Sequence, residues 1–282
     1  MTNRLLALLL TAVASAYAQE LPRANAVPGG IAIVALGEAS APPTVFFNSQ
    51  RVMVLRCTEG WCAVVGLGLG VTPGEHALSV NQAGERRTAR FTVQPKKYEV
   101  QHVTIAEKRF VEPSAQDLNR IAADQAAIAR AFATWTETPP TWRLDLPTAG
   151  RLSSSFGLQR YFNGQARAPH SGLDIAAPEG TLIRAPAPGT VIETGNYFFN
   201  GNTVFLDHGQ GLITMYNHLR TVSVRPGMRV QAGEKIGEVG RSGRVTGPHL
   251  HWSVSLNNSR VDPSLLLTPE ALQSLSQQAP TH

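Results

Sequence analysis

The 282-residue chain is poor in charge and in aromatic rings: Asp, Glu, Lys and Arg make up 16% of it and Phe, Trp and Tyr 7%. It has no long Lys/Arg run, no glycine-rich phosphate loop following a strand, no internal repeat and no low-complexity segment. Those absences argue against a nucleotide-binding loop and a repeat array. The formal net charge of +5 reads as solubilising surface charge and selects no nucleic acid. A hydrophobic content of 43% is too high for a disordered chain. No stretch approaches the roughly 18 consecutive apolar residues of a membrane-spanning helix, so no transmembrane anchor is expected. Cysteine is scarce. Cys57 and Cys62, in RCTEGWC, are the only two, and no second pair exists to complete a four-sulfur metal site. Glu59-Gly60 between them fits a disulfide across a tight hairpin in an oxidising compartment.

The first residues, MTNRLLALLLTAVASAYAQE, combine Arg4, a short apolar run from Leu5 to Val13, and the small-x-small triplet Ala16-Tyr17-Ala18. This is the pattern of a signal peptide over 1–18, with export from the cytoplasm. No cysteine near the cleavage site signals a lipoprotein. Residues 19–105 alternate β-branched and apolar runs with Gly, Pro, Asn and Asp, at a spacing that predicts a small immunoglobulin-like β-sandwich. Nothing in that region clusters chemistry-bearing side chains. Within 106–144, Leu118, Ile121, Gln125, Ile128 and Phe132 recur at helical spacing, and Ser114 and Asp117 resemble a capping box. An amphipathic helix over about 114–134 is expected, linking the sandwich to a glycine-rich, antiparallel β region over 145–270. Residues 271–282 read as a polar tail that frays.

Histidine is unevenly placed. His170, His208, His218, His249 and His251 fall within 82 residues, out of eight in the chain. In TGPHLHW, strand alternation points His249 and His251 to one face and Leu250 to the other. In PHSGLDIAAPEG, His170 precedes Asp174 by four residues, and an extended segment puts both on one face. His170, Asp174 and one histidine of the later pair would supply two imidazoles and a carboxylate. That donor set suits zinc and leaves a fourth position for water, as in catalytic sites. Alternation in TMYNHLRTV puts His218 on the face of Thr214 and Tyr216, opposite Met215 and Asn217. His208 and Asp207 read as turn residues, and Asp262 as an N-cap before Pro263. Three further residues are candidates for lining a substrate groove: Tyr161 and Arg167, just before His170, and Asn202 in GNTVFLDHG.

GRLSSSFG, PHSGLDIAAPEGT, APAPGTVIETG, GNTVFLDHGQGLITMYNHL, VQAGEKIGEVGRSGRVTGPHLHWSV and VDPSLLL, over about Gly150 to Leu267, resemble the lysostaphin/LytM-type zinc metallopeptidases, which are peptidoglycan endopeptidases. The resemblance implies one zinc ion held by His170, Asp174 and His251. It implies that His218 and His249 face the reacting centre as acid and base, and that peptidoglycan peptide stems are the substrate. Some family members have lost metal residues and act as activators of cell-wall amidases. All five positions are filled here, which argues for the enzyme over that catalytically silent regulator. Export, the hairpin cysteines and the lack of wall-binding repeats fit a periplasmic location, with secretion as the other outcome.

Overall fold

The computed structural model describes residues 20–277, so the expected signal segment 1–18 lies outside the described residues. The N-terminal part contains β1 (Ile31–Gly37), β2 (Thr44–Phe47), β3 (Gln50–Arg51), β4 (Met53–Cys57), β5 (Gly60–Gly66), β6 (Gly74–Gln82) and β7 (Glu85–Val93). They form a three-stranded sheet in the order β1-β5-β4 and a four-stranded sheet in the order β3-β2-β6-β7. Val34, Val54 and Val65 from one sheet meet Val45, Phe47, Leu78 and Val80 from the other in a common apolar core. Cys57 and Cys62 form a disulfide across the β4–β5 hairpin, with Cα atoms 5.9 Å apart.

The three-stranded sheet is buried on both faces. Its second face, carrying Ile31, Met53, Leu55 and Val64, belongs to the large core of the C-terminal part, together with Trp252, Val254 and Leu256. This explains why GWCAVVG reads as a continuous apolar run and not as an alternating one. Asn257 fastens the junction: its side-chain carbonyl accepts from Gly66 N (2.6 Å) and its amide donates to Gly66 O (2.9 Å). The sandwich is therefore a packed partner of the second sheet, a closer association than the sequence conveys.

β8 (Val100–Val103) leaves the sandwich altogether. It pairs in parallel with β10 (Gln159–Phe162), on a small sheet completed by β11 (Gln165–Ala166); β9 (Arg151–Ser154) precedes them. Between β8 and β9 lies α1 (Ala115–Phe132). Ser114 Oγ accepts from Asp117 N, and the Asp117 carboxylate accepts from Ser114 N, so both orphan donors of the first turn are satisfied. Arg109 pairs with the same carboxylate. Ala131 and Phe132 seat the end of α1 on Tyr197, Phe205, Ile213 and Met215.

The C-terminal sheet adds β12 (Leu173–Ala176), β13 (Leu182–Arg184), β14 (Gly189–Tyr197), β15 (Gly201–Asp207), β16 (Ile213–Val222), β17 (Arg229–Val230), β18 (Lys235–Val239), β19 (His249–Leu256) and β20 (Ser259–Val261). The main order is β17-β14-β15-β16-β19-β12-β9, antiparallel throughout, with β18 bridging β13 and β16. Asp262 caps a short 3₁₀ turn, Pro263–Leu266, by accepting from Ser264 N (3.0 Å). The segment read as a fraying tail is instead helical to its last described residue, in α2 (Pro269–Gln277). Ala271 and Leu275, one turn apart, bury against the main core, and Thr268 Oγ accepts from Ala271 N.

Candidate metal centre

Strand register places the first ligands. β12 pairs with β19 so that Asp174 stands opposite His251 and Ala176 opposite His249. Directly paired residues of an antiparallel ladder project to the same face, so Asp174, His249 and His251 share one surface. His170 lies before β12 and is brought in by the loop, through His170 N donating to Leu158 O (2.9 Å). Gly172 makes this approach possible: a Cβ there would lie 2.4 Å from the Trp252 carbonyl oxygen and 2.8 Å from His251 Nε2.

The result is a tight triangle. His170 Nε2 is 2.9 Å from Asp174 Oδ1, His251 Nδ1 is 2.8 Å from the same oxygen, and the two nitrogens are 3.0 Å apart. The outer nitrogens settle the tautomers. His170 Nδ1 faces the Ser155 carbonyl at 2.7 Å, and a carbonyl only accepts, so Nδ1 carries the proton. His251 Nε2–H donates to Ser253 Oγ (2.9 Å), whose own proton goes to Ser171 O (2.9 Å). Both inward nitrogens therefore present lone pairs to a carboxylate oxygen. Burial alone would raise the Asp174 carboxyl; a proton on either inward nitrogen would reverse that and hold it well below the usual carboxylate range. Burial pushes His251 down to about 4 against the upward pull of Asp174. Three lone pairs this close need a cation among them. Two imidazoles with outer-nitrogen partners and one carboxylate fit a divalent ion in an open, three-ligand site.

His218 reaches the same surface by a different device. Alternation along β16 predicts that it faces with Tyr216; instead it lines the cleft beside Met215 and Asn217. The register between β15 and β16 slips between Asn202 and Val204, and His218 takes φ +66°. A non-glycine residue in the left-handed region within a strand is a bulge geometry, and it turns the side chain to the opposite face. Ser242 holds that turn: its carbonyl accepts from His218 Nδ1–H (2.9 Å), and its hydroxyl donates to Leu219 O (2.9 Å). Asn202 adds a side-chain amide donor to Leu219 O (2.9 Å). Gly201 (φ +64°) passes so close to Ser242 that a Cβ would sit 2.3 Å from its Oγ.

The rings of His218 and His249 lie 4.8 Å apart, and His218 and His251 6.2 Å apart. His249 Nδ1–H donates to Gly247 O (2.9 Å), and its Nε2 lies 3.9 Å from Asp174 Oδ1. His218 and His249 thus each have Nδ1 committed to a carbonyl and Nε2 free for chemistry. Burial, with His249 and His251 alongside, pushes the His218 imidazole well below its ordinary value and keeps it neutral.

The site opens into a cleft of about 890 Å³, walled by β8, α1, β10 and the β18–β19 loop. The residue that sequence reasoning passed over is Arg160. Its guanidinium donates to Asp174 Oδ2 (2.6 Å), Ser154 Oγ (2.8 Å) and Gln101 Oε1 (3.0 Å), orienting the carboxylate from behind. Three residues expected at the groove are not among those that line this cleft. Tyr161, the next residue on β10, points away and stacks on His102 at 5.1 Å. Arg167 donates to Val111 O and Gln165 Oε1, and Asn202 is spent on the bulge. His208 is buried away from the cleft, between the Pro188 carbonyl and Thr214 Oγ.

Two family models match the chain: peptidase family M23 over residues 168–263 and the peptidase family M23 N-terminal domain over 24–96. A solved structure of a candidate peptidase M23 from Pseudomonas aeruginosa is 43% identical, with TM-score 0.73, covering 86% of this chain and 95% of that one. Peptidoglycan DD-endopeptidase ShyC of Vibrio cholerae is 42% identical over 46% of this chain and 30% of its own length. DD-carboxypeptidase/endopeptidase Mpg of Neisseria meningitidis is 41% identical over 44% of this chain and 29% of its own. The match thus spans under a third of these curated relatives. With the sandwich and the histidine-lined sheet both matched, the chain belongs to peptidase family M23.

Proposed function

We propose that the chain is an exported zinc metalloendopeptidase that hydrolyses peptide cross-links of peptidoglycan. The observation that carries this reading is the convergence of His170 Nε2, Asp174 Oδ1 and His251 Nδ1 within 3.0 Å of one another, with His218 and His249 beside them. These three side chains would hold the ion. Zinc, when bound, acts as a Lewis acid on a scissile carbonyl and lowers the pKa of a bound water. The chain's own part is proton handling and orientation. Neutral His218, its Nδ1–H tied to the Ser242 carbonyl, offers Nε2 as a base. His249, tied in the same way to Gly247, is the second group able to accept a proton or return it to the leaving amine. Arg160 and Ser253 hold Asp174 and His251 in ligating orientation.

The relatives named as DD-endopeptidases support cell-wall peptides as the substrate class, and D-alanyl–diaminopimelate cross-links are the bond we assign. Action on that polymer would put the protein outside the cytoplasm; the periplasm is the location we assign, with secretion as the other outcome. Among the described residues no helix is long and apolar enough to cross a membrane. Digestion of purified sacculi tests the reading. The expected result is new amine and carboxyl ends at the cross-link, abolished by a chelator and restored by zinc. Unchanged sacculi, with a partner amidase activated equally by the wild type and by His218→Ala, would instead make the chain a regulator.

A further inference from the structure

The charges that line the cleft are unbalanced. Its ionisable walls are Arg160, Arg244 and Arg260, the histidines, and a single carboxylate, Asp174. Arg160 already answers Asp174 through a 2.6 Å ion pair. Arg244 and Arg260 have no carboxylate within ion-pair distance and no side-chain hydrogen-bond acceptor among the described residues. Arg244 lies in the β18–β19 loop, anchored by its backbone N donating to Phe199 O (2.9 Å). Its guanidinium is clamped between two rings, 4.6 Å from the Phe162 centroid and 4.4 Å from that of Phe199. Arg260 lies 4.4 Å over Phe132 at the end of α1. Burial, with Arg160 and Arg167 nearby, lowers the Arg244 pKa to about 10, which still leaves it charged at neutral pH.

Arg244 and Arg260 are half-buried; a partly desolvated cation without an anionic partner carries a cost that aromatic faces offset only in part. Fixing a planar guanidinium between two rings restricts its rotation and leaves its N–H edge for a bidentate acceptor. An occupied metal centre would add further positive charge to the same cleft. We infer that the cleft is built for a peptide bearing a free carboxylate near the scissile amide, and that Arg244 receives that carboxylate, with Arg260 as a second cation along the groove. This rests on the peptidase reading and sharpens it: the enzyme discriminates between substrates by the state of a side carboxylate.

The test uses two synthetic cross-linked peptide dimers that differ only in that carboxylate, free in one and a primary amide in the other. With the full-length, zinc-loaded protein, kcat/KM should favour the free acid by about tenfold or more, the scale of one buried charge-assisted pair. Arg244→Gln should collapse this ratio toward one, chiefly through KM, whereas Arg244→Lys should keep part of it. A wild-type ratio near one, or a fall on both dimers that leaves the ratio intact, would overturn the inference. Calorimetric binding of the same two dimers to Asp174→Asn is measured in parallel. Carboxylate-dependent binding without hydrolysis by the wild type would retain the arginine site and reject the peptidase reading; equal binding of the two dimers would reject the arginine site.

Discussion

The two β structures of this chain bury different chemistry. In the N-terminal sandwich the buried side chains among the described residues are apolar throughout, from Val27 to Val93. In the C-terminal sheet the core is as dry beneath, but Thr203, Asn217, His218, Ser253, Asn257, His170 and Asp174 are buried as well. A buried polar group costs free energy unless it is satisfied, so a region that retains many of them is specified for something beyond stability. The sandwich meets the requirements of packing; the second sheet meets those of a reaction and spends part of its stability on a bulge and on converging lone pairs. Both share the three-stranded sheet, one face in each core.

That contrast breaks most readily at the histidines. His218→Ala should lower kcat/KM on cross-linked peptides by about 10²- to 10⁴-fold, the range for loss of a general acid or base, with the thermal midpoint nearly unchanged. A drop of less than tenfold would remove His218 from the chemistry. Phe47→Ala, in the sandwich core, should do the opposite. It should cost about 3–5 kcal/mol of stability in denaturant titration while the folded protein keeps its metal affinity. Loss of zinc binding in the folded variant would show that the two regions are not separable.

Three smaller effects sharpen the boundary. Ser253→Ala removes the acceptor of His251 Nε2–H and should weaken zinc affinity by about 10- to 100-fold without unfolding the sheet. Asn257→Ala leaves Gly66 N and O without their side-chain partner at the junction and should cost about 1–3 kcal/mol. Its signature would be faster hydrogen exchange in β5, with the metal centre unaffected. Opening the Cys57–Cys62 disulfide as Cys57→Ser/Cys62→Ser should have the least reach. A six-residue closure contributes about 2 kcal/mol on the chain-entropy argument, read as a modest fall in thermal midpoint.

What was legible in the sequence follows from whether a position depends on local spacing or on a distant strand. His170, Asp174, His249 and His251 stand out because their spacing is local: one strand carries the last two, and three residues separate the first two. The sandwich is legible for the same reason, through alternation and turn residues. Legibility fails where a position depends on another strand. His218 is assigned to the wrong face by alternation because the bulge that turns it is built by Ser242 and Asn202, both distant in sequence. Asn202 looks like a cleft residue and is a brace. On β10 the residue that meets Asp174 is Arg160 and not Tyr161, a difference of one position set by which face of the strand is turned to the site. β8 reads as a strand of the sandwich, yet its partner is β10, more than fifty residues further on. The helix of 269–277 is missed because its short apolar face, Ala271, Leu272 and Leu275, is set among polar residues.

His170, Asp174 and His251 are read as one cation site on the strength of their converging donor atoms. Zinc titration of the metal-stripped full-length protein, followed by calorimetry and elemental analysis, tests it most directly. Saturable uptake of one zinc per chain is expected in the wild type and in His218→Ala, and its loss in Asp174→Asn. No uptake by the wild type, or undiminished uptake by Asp174→Asn, would contradict it.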